Sequence, residues 1–419
     1  MQAKTIRIAV ISDLHYRAHQ SGFACRPSVS DQGLHDDPMA TLIDHLRSEN
    51  HALVNSDGRI ADYLLCPGDI ADKASEPAFD EGWSKLKALQ QALSAKHLIT
   101  STGNHEIDSR ASRESDTAGN VEIELDPLKA LQKHSDYPST AFVQSDRRWI
   151  YWGRGYEFID EEDILFLVIN SSHYHWTTRE NEFQRGRIGE VALEELRKEL
   201  RERVSNNASR AFVALLHHHP IPHQDLDVDL GRIEMSNGAR LIEALDASGV
   251  PWLIIHGHKH HARLLPAQGG PSRPLVFAAG TFGAVLSGKL ATQTKQQFYL
   301  LDVSVLSQQI RPEAAVRVRA LTWSGSNWIW TTKKQHGLPD RCGFRTPQLD
   351  IVREVEAIKS FLDQRPETTF FAWQEVVESH PNLKYLLPSE ITVLQRAMDA
   401  VGINYTWKDD DWFPSEISR

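Results

Sequence analysis

The sequence predicts an α/β fold: a layered α/β/β/α sandwich of two mixed β-sheets flanked by helices, followed by a small, mainly helical C-terminal domain. Three observations predict it. Compact apolar runs alternate with helical periods from Ile6 onward, the succession that produces parallel strands with crossover helices. Five of those runs end in loops carrying Asp, Asn or His, as expected where strands deliver functional side chains at their C-terminal ends. After about Gly337 the texture changes to helical patterns rich in aromatic residues, which places the domains at 1–335 and 336–419.

Ile6 to Ile11 reads as a buried first strand, and the polar stretch from about Arg17 to Pro38 as a loop over its end. Leu42, His45 and Leu46 give Thr41 to Glu49 a helical spacing, and Trp83, Leu86, Leu89 and Leu93 do the same for Phe79 to Ala95. Leu64-Leu65-Cys66 and Leu98-Ile99-Thr100 are the strands between and after them. The long polar insertion from Ile107 to about Thr140, with a short helical segment near Leu128 to His134, is read as a lid or substrate-contacting loop. Trp149 to Phe158 and Ile164 to Ile169 are expected as two strands joined by the acidic turn Asp160-Glu161-Glu162-Asp163. Helices at Gly189 to Arg203 and Ala239 to Ala247 then alternate with strands at Ala211 to Leu216 and Trp252 to Ile255. Leu275 to Ala279, Phe298 to Val303, and two runs within Val316 to Trp330 split by Gly325-Ser326-Asn327 complete the core. Helices are expected at Ile351 to Leu362 and Glu390 to Val401 beyond the linker-like Pro339-Asp340-Arg341-Cys342-Gly343.

The 419 residues suffice for one large domain with an appendage. No apolar run approaches the roughly 20 residues of a membrane span. Met1 to Thr5 runs straight into the first strand without the pattern of a secretory leader. Three widely separated cysteines, Cys25, Cys66 and Cys342, fit neither a disulfide framework nor a metal knuckle. The expectation is a cytoplasmic protein with reduced thiols. A net charge of -10 argues against a general duplex-DNA binder, although metal ions would supply local positive charge to a phosphate whatever the rest of the surface carries.

The loops carry Asp13 and His15, Gly68-Asp69, Gly103-Asn104-His105-Glu106, His217-His218-His219-Pro220, and Gly257-His258-Lys259-His260. Singly, each is an ordinary turn or surface residue. Together, Asp13, His15, Asp69, Asn104, His218, His258 and His260 combine carboxylate, amide and imidazole donors, a set that favours Mn, Fe or Zn over Mg or Ca. Seven donors exceed one tetrahedral ion and suit two transition-metal ions sharing a bridging carboxylate, about 3.5–4 Å apart, a device for displacement at phosphorus.

These blocks, in this order, resemble the calcineurin-like metallophosphoesterase superfamily over roughly residues 5 to 305, and Ser12 to His15 with Leu216 to Pro222 look most like its cyclic-nucleotide phosphodiesterase branch. The resemblance implies that Asp13, His15 and His260 hold one metal, that Asp69 bridges, and that Asn104, His218 and His258 hold the other. Family members place that histidine two residues before the proline, which selects His218 and leaves His217 as the alternative. His105 matches the position that protonates the leaving oxygen or stabilises the phosphoryl group. The implied reaction is attack of a metal-bridging hydroxide on a phosphodiester or phosphomonoester, with His105, Asp69 and Asn104 as catalytic residues. Glu106 or a backbone carbonyl is expected to orient a ring.

The partner expected is a small phosphoester, a nucleotide among the candidates. Two alternatives stand beside it: a nuclease of the same superfamily, disfavoured by the acidic balance, and a non-catalytic scaffold binding a protein partner or a second copy through the C-terminal domain. Arg110 and Arg113 are candidates for a substrate-phosphate clamp, with a solvated loop the favoured reading; Phe282 is read as core in preference to a base-stacking ring; and His19, His35, His173, His175, His223 and His261 are read as non-catalytic, with His223 and His261 at the pocket rim.

Overall fold

The computed structural model describes residues 5–17, 37–108, 131, 133–143, 146–175, 185–204, 210–222, 234–267, 272–306 and 313–419. The loop expected at 17–38, the Leu128–His134 helical segment, Arg110, Arg113, His19, His35 and His223 lie wholly or mostly outside them.

Strands β1 Thr5–Val10, β2 Tyr63–Cys66 and β3 His97–Thr100 pair in parallel, with α1 Pro38–Ser48, α2 Asn50–Leu53 and α3 Glu76–Leu93 in the crossovers. A second set comprises β4 Tyr156–Asp160, β5 Ile164–Ile169, β6 Ala211–Leu215, β7 Trp252–His256, β8 Arg263–Pro266 and β9 Leu275–Ala278. Its order is β4-β5-β6-β7-β9-β8, parallel from β5 to β9 and antiparallel at both edges. Helices α5 Glu190–Val204 and α6 Gly238–Ala247 cross over in this half, and α4 Arg147–Arg154 precedes β4. After α7 Gly288–Gln293 come β10 Gln297–Leu306, β11 Glu313–Trp323, β12 Trp328–Trp330 and β13 Cys342–Arg345. Among the described residues these join the first sheet in the order β12-β11-β10-β1-β2-β3, with β13 also paired to β11.

The period of two along each strand sets the layers. Ile8 and Val10 of β1 and Leu65 of β2 meet Phe166, Val213, Ile255 and Phe277 between the sheets, whereas Ala9, Leu64 and Leu98 turn outward onto Leu42, Trp83 and Leu86 of α1 and α3. Leu193, Leu196, Leu241 and Leu245 of α5 and α6 cover the second sheet's outer face. Each such aliphatic side chain contributes about 1.5–3 kcal/mol by burial, so both sheets are fixed from two sides. The α/β/β/α sandwich is thus the observed architecture, and Phe282 is core, stacked on Trp328 at 5.1 Å.

Two expectations differ. Pro339 to Gly343, read as linker-like, runs into β13, where Cys342 and Gly343 are buried and pair with Val318 and Arg317 of β11, so the first sheet continues past residue 335. Trp149 to Arg154, read as part of a strand, lies in α4. Its aromatic content mimics a strand, yet Trp149 and Ile150 are exposed while Tyr151 turns inward, and Gly155 ends the helix in a left-handed conformation at φ 82°.

The C-terminal stretch has its own core, which includes Val355, Ile358, Leu394, Met398 and Ile417. Its elements run α8 Ile351–Asp363, β14 Phe370–Ala372, α9 Trp373–Ser379, α10 Ile391–Val401, β15 Asn404–Thr406 and β16 Glu416–Ser418, with sheet order β14-β16-β15. Helix, strand, two helices and two strands in that pairing make a winged-helix arrangement, with the β15–β16 loop as the wing. That wing lies against the segment that follows β12. Lys333 Nζ is 2.9 Å from Asp410 Oδ2 and 2.6 Å from Asp411 Oδ1, and the Trp412 indole donates to the Gly337 carbonyl at 3.0 Å.

Candidate metal centre

Asp13 and His15 follow β1, Asp69 follows β2, and Asn104 and His105 follow β3; His217 and His218 follow β6, and His258 and His260 follow β7. All five loops leave the C-terminal ends of parallel strands, so they converge on one rim of the two sheets. Backbone bonds lock them together: Asp13 N donates to Gly68 O, His15 N to Asp69 O and Gly257 N to His217 O, each at 3.0 Å. Asp13, His15, Asp69, His258 and His260 all have positive φ, between 50° and 77°. A non-glycine residue there costs about 1 kcal/mol or more, a strain typical of functional sites.

Two clusters share Asp69. In the first, Asp69 Oδ2 lies 3.7 Å and Asp13 Oδ1 4.0 Å from His15 Nε2, while His260 Nε2 lies 3.1 Å from His15 Nε2 and 3.3 Å from Asp13 Oδ1. In the second, His217 Nε2 lies 3.3 Å from Asp69 Oδ2 and 3.0 Å from Asn104 Oδ1, which is also 3.0 Å from His258 Nδ1. Two ligands at right angles, each about 2.1 Å from one ion, sit about 3.0 Å apart, so these spacings fit a cation at each cluster. Protonation fits as well. Burial pushes His15 down to about 4 and His258 well below the ordinary imidazole range, leaving neutral rings with lone pairs to offer. Burial would raise Asp69, but His217, His105 and His15 outweigh it and hold it well below the usual carboxylate range.

His218 stands apart from the oxygen donors. It has a ring nitrogen within 4.8 Å of those of His217 and His258, but its Nδ1 pairs with Ser171 Oγ at 2.9 Å. The Pro67 carbonyl, 3.1 Å from His217 Nδ1, orients the His217 ring instead.

Glu106 orients no ring. Its carboxylate accepts the backbone N–H groups of Asp69 at 2.8 Å, Ala71 at 3.1 Å and Gly103 at 2.7 Å, and that of Ile70. Burial and the Asp69 charge push its pKa up to about 7, yet four N–H donors on two oxygens match the ionised form. Asp72, absent from the sequence reading, sits 3.1 Å from His105 Nδ1. Its signal was available as a second carboxylate three residues after Asp69. Burial lowers His105, but Asp69 and Asp72 outweigh it and push its pKa up to about 9.

Residues 6–262 match the family of calcineurin-like phosphoesterases. The chain belongs to that family. Its members hold two divalent metals and hydrolyse phosphoesters, and the clusters Asp13, His15, Asp69, His260 and Asp69, Asn104, His217, His258 are this calcineurin-like chain's candidate ligands. No curated protein matches the sequence. Similar solved structures include a dimetal phosphatase from Danio rerio, 14% identical, covering 77% of this chain and 98% of that one with a TM-score of 0.43. Others are the sulfate thiohydrolase SoxB from Thermus thermophilus (14% identical, 76% and 56% covered, TM-score 0.32) and the phosphopantetheinyl hydrolase PptH from Mycobacterium tuberculosis (12%, 65% and 89%, TM-score 0.31). No helix among the described residues is long and apolar enough to cross a membrane.

Proposed function

We propose that the chain is a metal-dependent phosphodiesterase in which Asp13, His15, Asp69 and His260 hold one ion and Asp69, Asn104, His217 and His258 the other. This assigns to His217 the place expected for His218 from its spacing to Pro220. The observation that carries it is the shared Asp69 carboxylate, with His15 Nε2 3.7 Å and His217 Nε2 3.3 Å from Oδ2. Two cations bound there would supply Lewis acidity toward the phosphoryl oxygens and lower the pKa of an attacking water. Manganese, iron and zinc all suit the mixed nitrogen and oxygen donors.

The chain's own residues provide the rest. As the water oxygen forms a bond to phosphorus and the ester P–O bond breaks, the leaving oxygen takes a proton from His105 Nε2 while Asp72 holds Nδ1. The water's proton passes to solvent, and solvent recharges His105. A monoanionic diester suits this site better than a dianionic monoester, because among the described residues the guanidinium beside His105 and Asp72, that of Arg17, is already paired with Asp72 at 3.0 Å. A nuclease is less favoured: the wing carries Asp409, Asp410 and Asp411, the wrong charge for a phosphate backbone.

The test is steady-state hydrolysis by the Mn-loaded protein. Bis-p-nitrophenyl phosphate should be cleaved with a kcat/KM at least tenfold above that for p-nitrophenyl phosphate. Preference for the monoester, or turnover of neither, overturns the proposal.

A further inference from the structure

Beside the metal-facing loops lies a cavity of about 880 Å³, within the size range of small-molecule sites. His261, on its wall, directly follows His260, and Ile221 and Pro222 enter it from the loop that carries His217. One end of it therefore adjoins the loops that carry the proposed ligands, while the ligands themselves do not line it. From there it runs between Leu264 and Leu265 of β8, Ile242 of α6, and the C-terminal unit, which contributes Pro388 and Trp412.

We propose that this cavity binds one ester group of a phosphodiester substrate, and that the group is an extended, mostly aliphatic chain. The inference rests on the phosphodiesterase reading above and deepens it. Ile221, Pro222, Ile242, Leu264, Leu265 and Pro388 supply a stripe of saturated carbon, flanked by Glu243, Asp246 and Arg263, and two polar groups at the far end are already committed. The Trp412 indole donates to Gly337 O at 3.0 Å and Lys334 Nζ to Asp409 O at 3.0 Å, so that end offers the flat carbon face of the indole and the stem of the lysine. At the near end Arg263 Nε donates to His261 Nδ1 at 3.3 Å, which fixes the imidazole as part of the wall. The winged-helix unit thereby gains a role, as one wall of the substrate site.

The test compares p-nitrophenyl methyl phosphate with p-nitrophenyl octyl phosphate on the Mn-loaded full chain. Each methylene leaving water is worth up to about fourfold, so the octyl ester should exceed the methyl ester in kcat/KM by at least tenfold. Leu265→Glu should bring that ratio below three, and Leu265→Ala should give an intermediate value, with melting curves confirming that both variants fold. A wild-type ratio near one, a ratio that survives Leu265→Glu, or a cyclic nucleotide cleaved tenfold better than the octyl ester overturns the inference. If neither ester is cleaved, the phosphodiesterase reading has failed, and calorimetric binding of octyl methyl phosphate still decides the cavity: wild type should bind and Leu265→Glu should bind at least tenfold more weakly, with equal binding counting against it.

Discussion

His105 Nδ1 lies 3.1 Å from Asp72 Oδ1, and the Lys73 amide approaches the same nitrogen at 3.2 Å. One proton decides between them. With Nδ1 protonated the ring donates to Asp72; with Nδ1 bare it accepts from Lys73. Asp69 and Asp72 overcome burial and raise His105 to about 9, favouring the first arrangement and a charged ring at neutral pH. The proton is lost as pH rises through that value, so removing the Asp72 charge should bring the loss to lower pH. Asp72→Asn is expected to shift the basic limb of the kcat profile down by at least one unit and to lower kcat by about 10–100-fold, less than the roughly 100–10,000-fold that a general acid itself contributes, with metal content unchanged. An unmoved limb would remove Asp72 from any positioning role.

The choice between His217 and His218 has a direct readout. His217→Ala should lower bound metal from two ions per chain to about one and abolish turnover, whereas His218→Gln should keep both ions. Elemental analysis of the purified variants measures this. His218 Nε2 has no hydrogen-bond partner among the described residues, so a result with the two reversed would restore His218 as the ligand.

Much of this centre was legible in the sequence because metal chemistry and strand-end loops leave local marks. Asp13, His15, Asp69, Asn104, His258 and His260 each follow an apolar run, and the structure brings all six together. The histidine after β6 was harder. Spacing to Pro220 selects His218, but the side chain that reaches Asn104 depends on how β6 ends and on Pro67 and Ser171, which lie far away in sequence. Of the two ring partners expected, Glu106 or a backbone carbonyl, the Pro67 carbonyl takes the part beside His217; an acid next to a ligand suggests the same role, and only the fold reveals the four amides converging on Glu106. In α4, exposed Trp149 and Ile150 carried the strand-like signal, while the residue that mattered, Tyr151, bonds Thr102 through its hydroxyl at 2.9 Å.

Asp302 on β10 joins β1 to β11. Its carboxylate takes Arg7 Nε at 2.5 Å and also pairs with Arg317, while Arg7 reaches the Leu53 carbonyl as well. Burial alone would raise the Asp302 pKa; the two guanidinium groups outweigh it and hold it below the usual carboxylate value. A carboxyl group depressed by folding contributes stability above its unfolded pKa of about 3.9 and loses it as pH falls through the lower folded value. Asp302→Asn should therefore cost about 3–5 kcal/mol at pH 7, and the gap from wild type should narrow as pH falls below the unfolded value. Denaturant titrations at pH 7 and pH 3 measure both ends. A gap that is the same at both would show that the loss is one of packing and not of charge.

Gly103 tests how tightly the Asp69 loop is held. A methyl group built on its Cα would overlap the Asp69 carboxylate and amide, and would come within 2.8 Å of Glu106 Oε2. Neither neighbour can retreat: Glu106 is fixed by four amides, and Asp69 Oδ1 accepts the His105 N–H at 3.0 Å. Gly103→Ala should displace Asp69, the carboxylate common to both clusters, and so weaken both ions at once, where loss of His217 weakens one. The expected result is a protein that folds, with a Tm lowered by several degrees, about 1–3 kcal/mol for overpacking, and that retains under half an equivalent of metal after gel filtration. Retention of two ions with full activity would mean that the loop yields, and that its rigidity is not what sets the metal spacing.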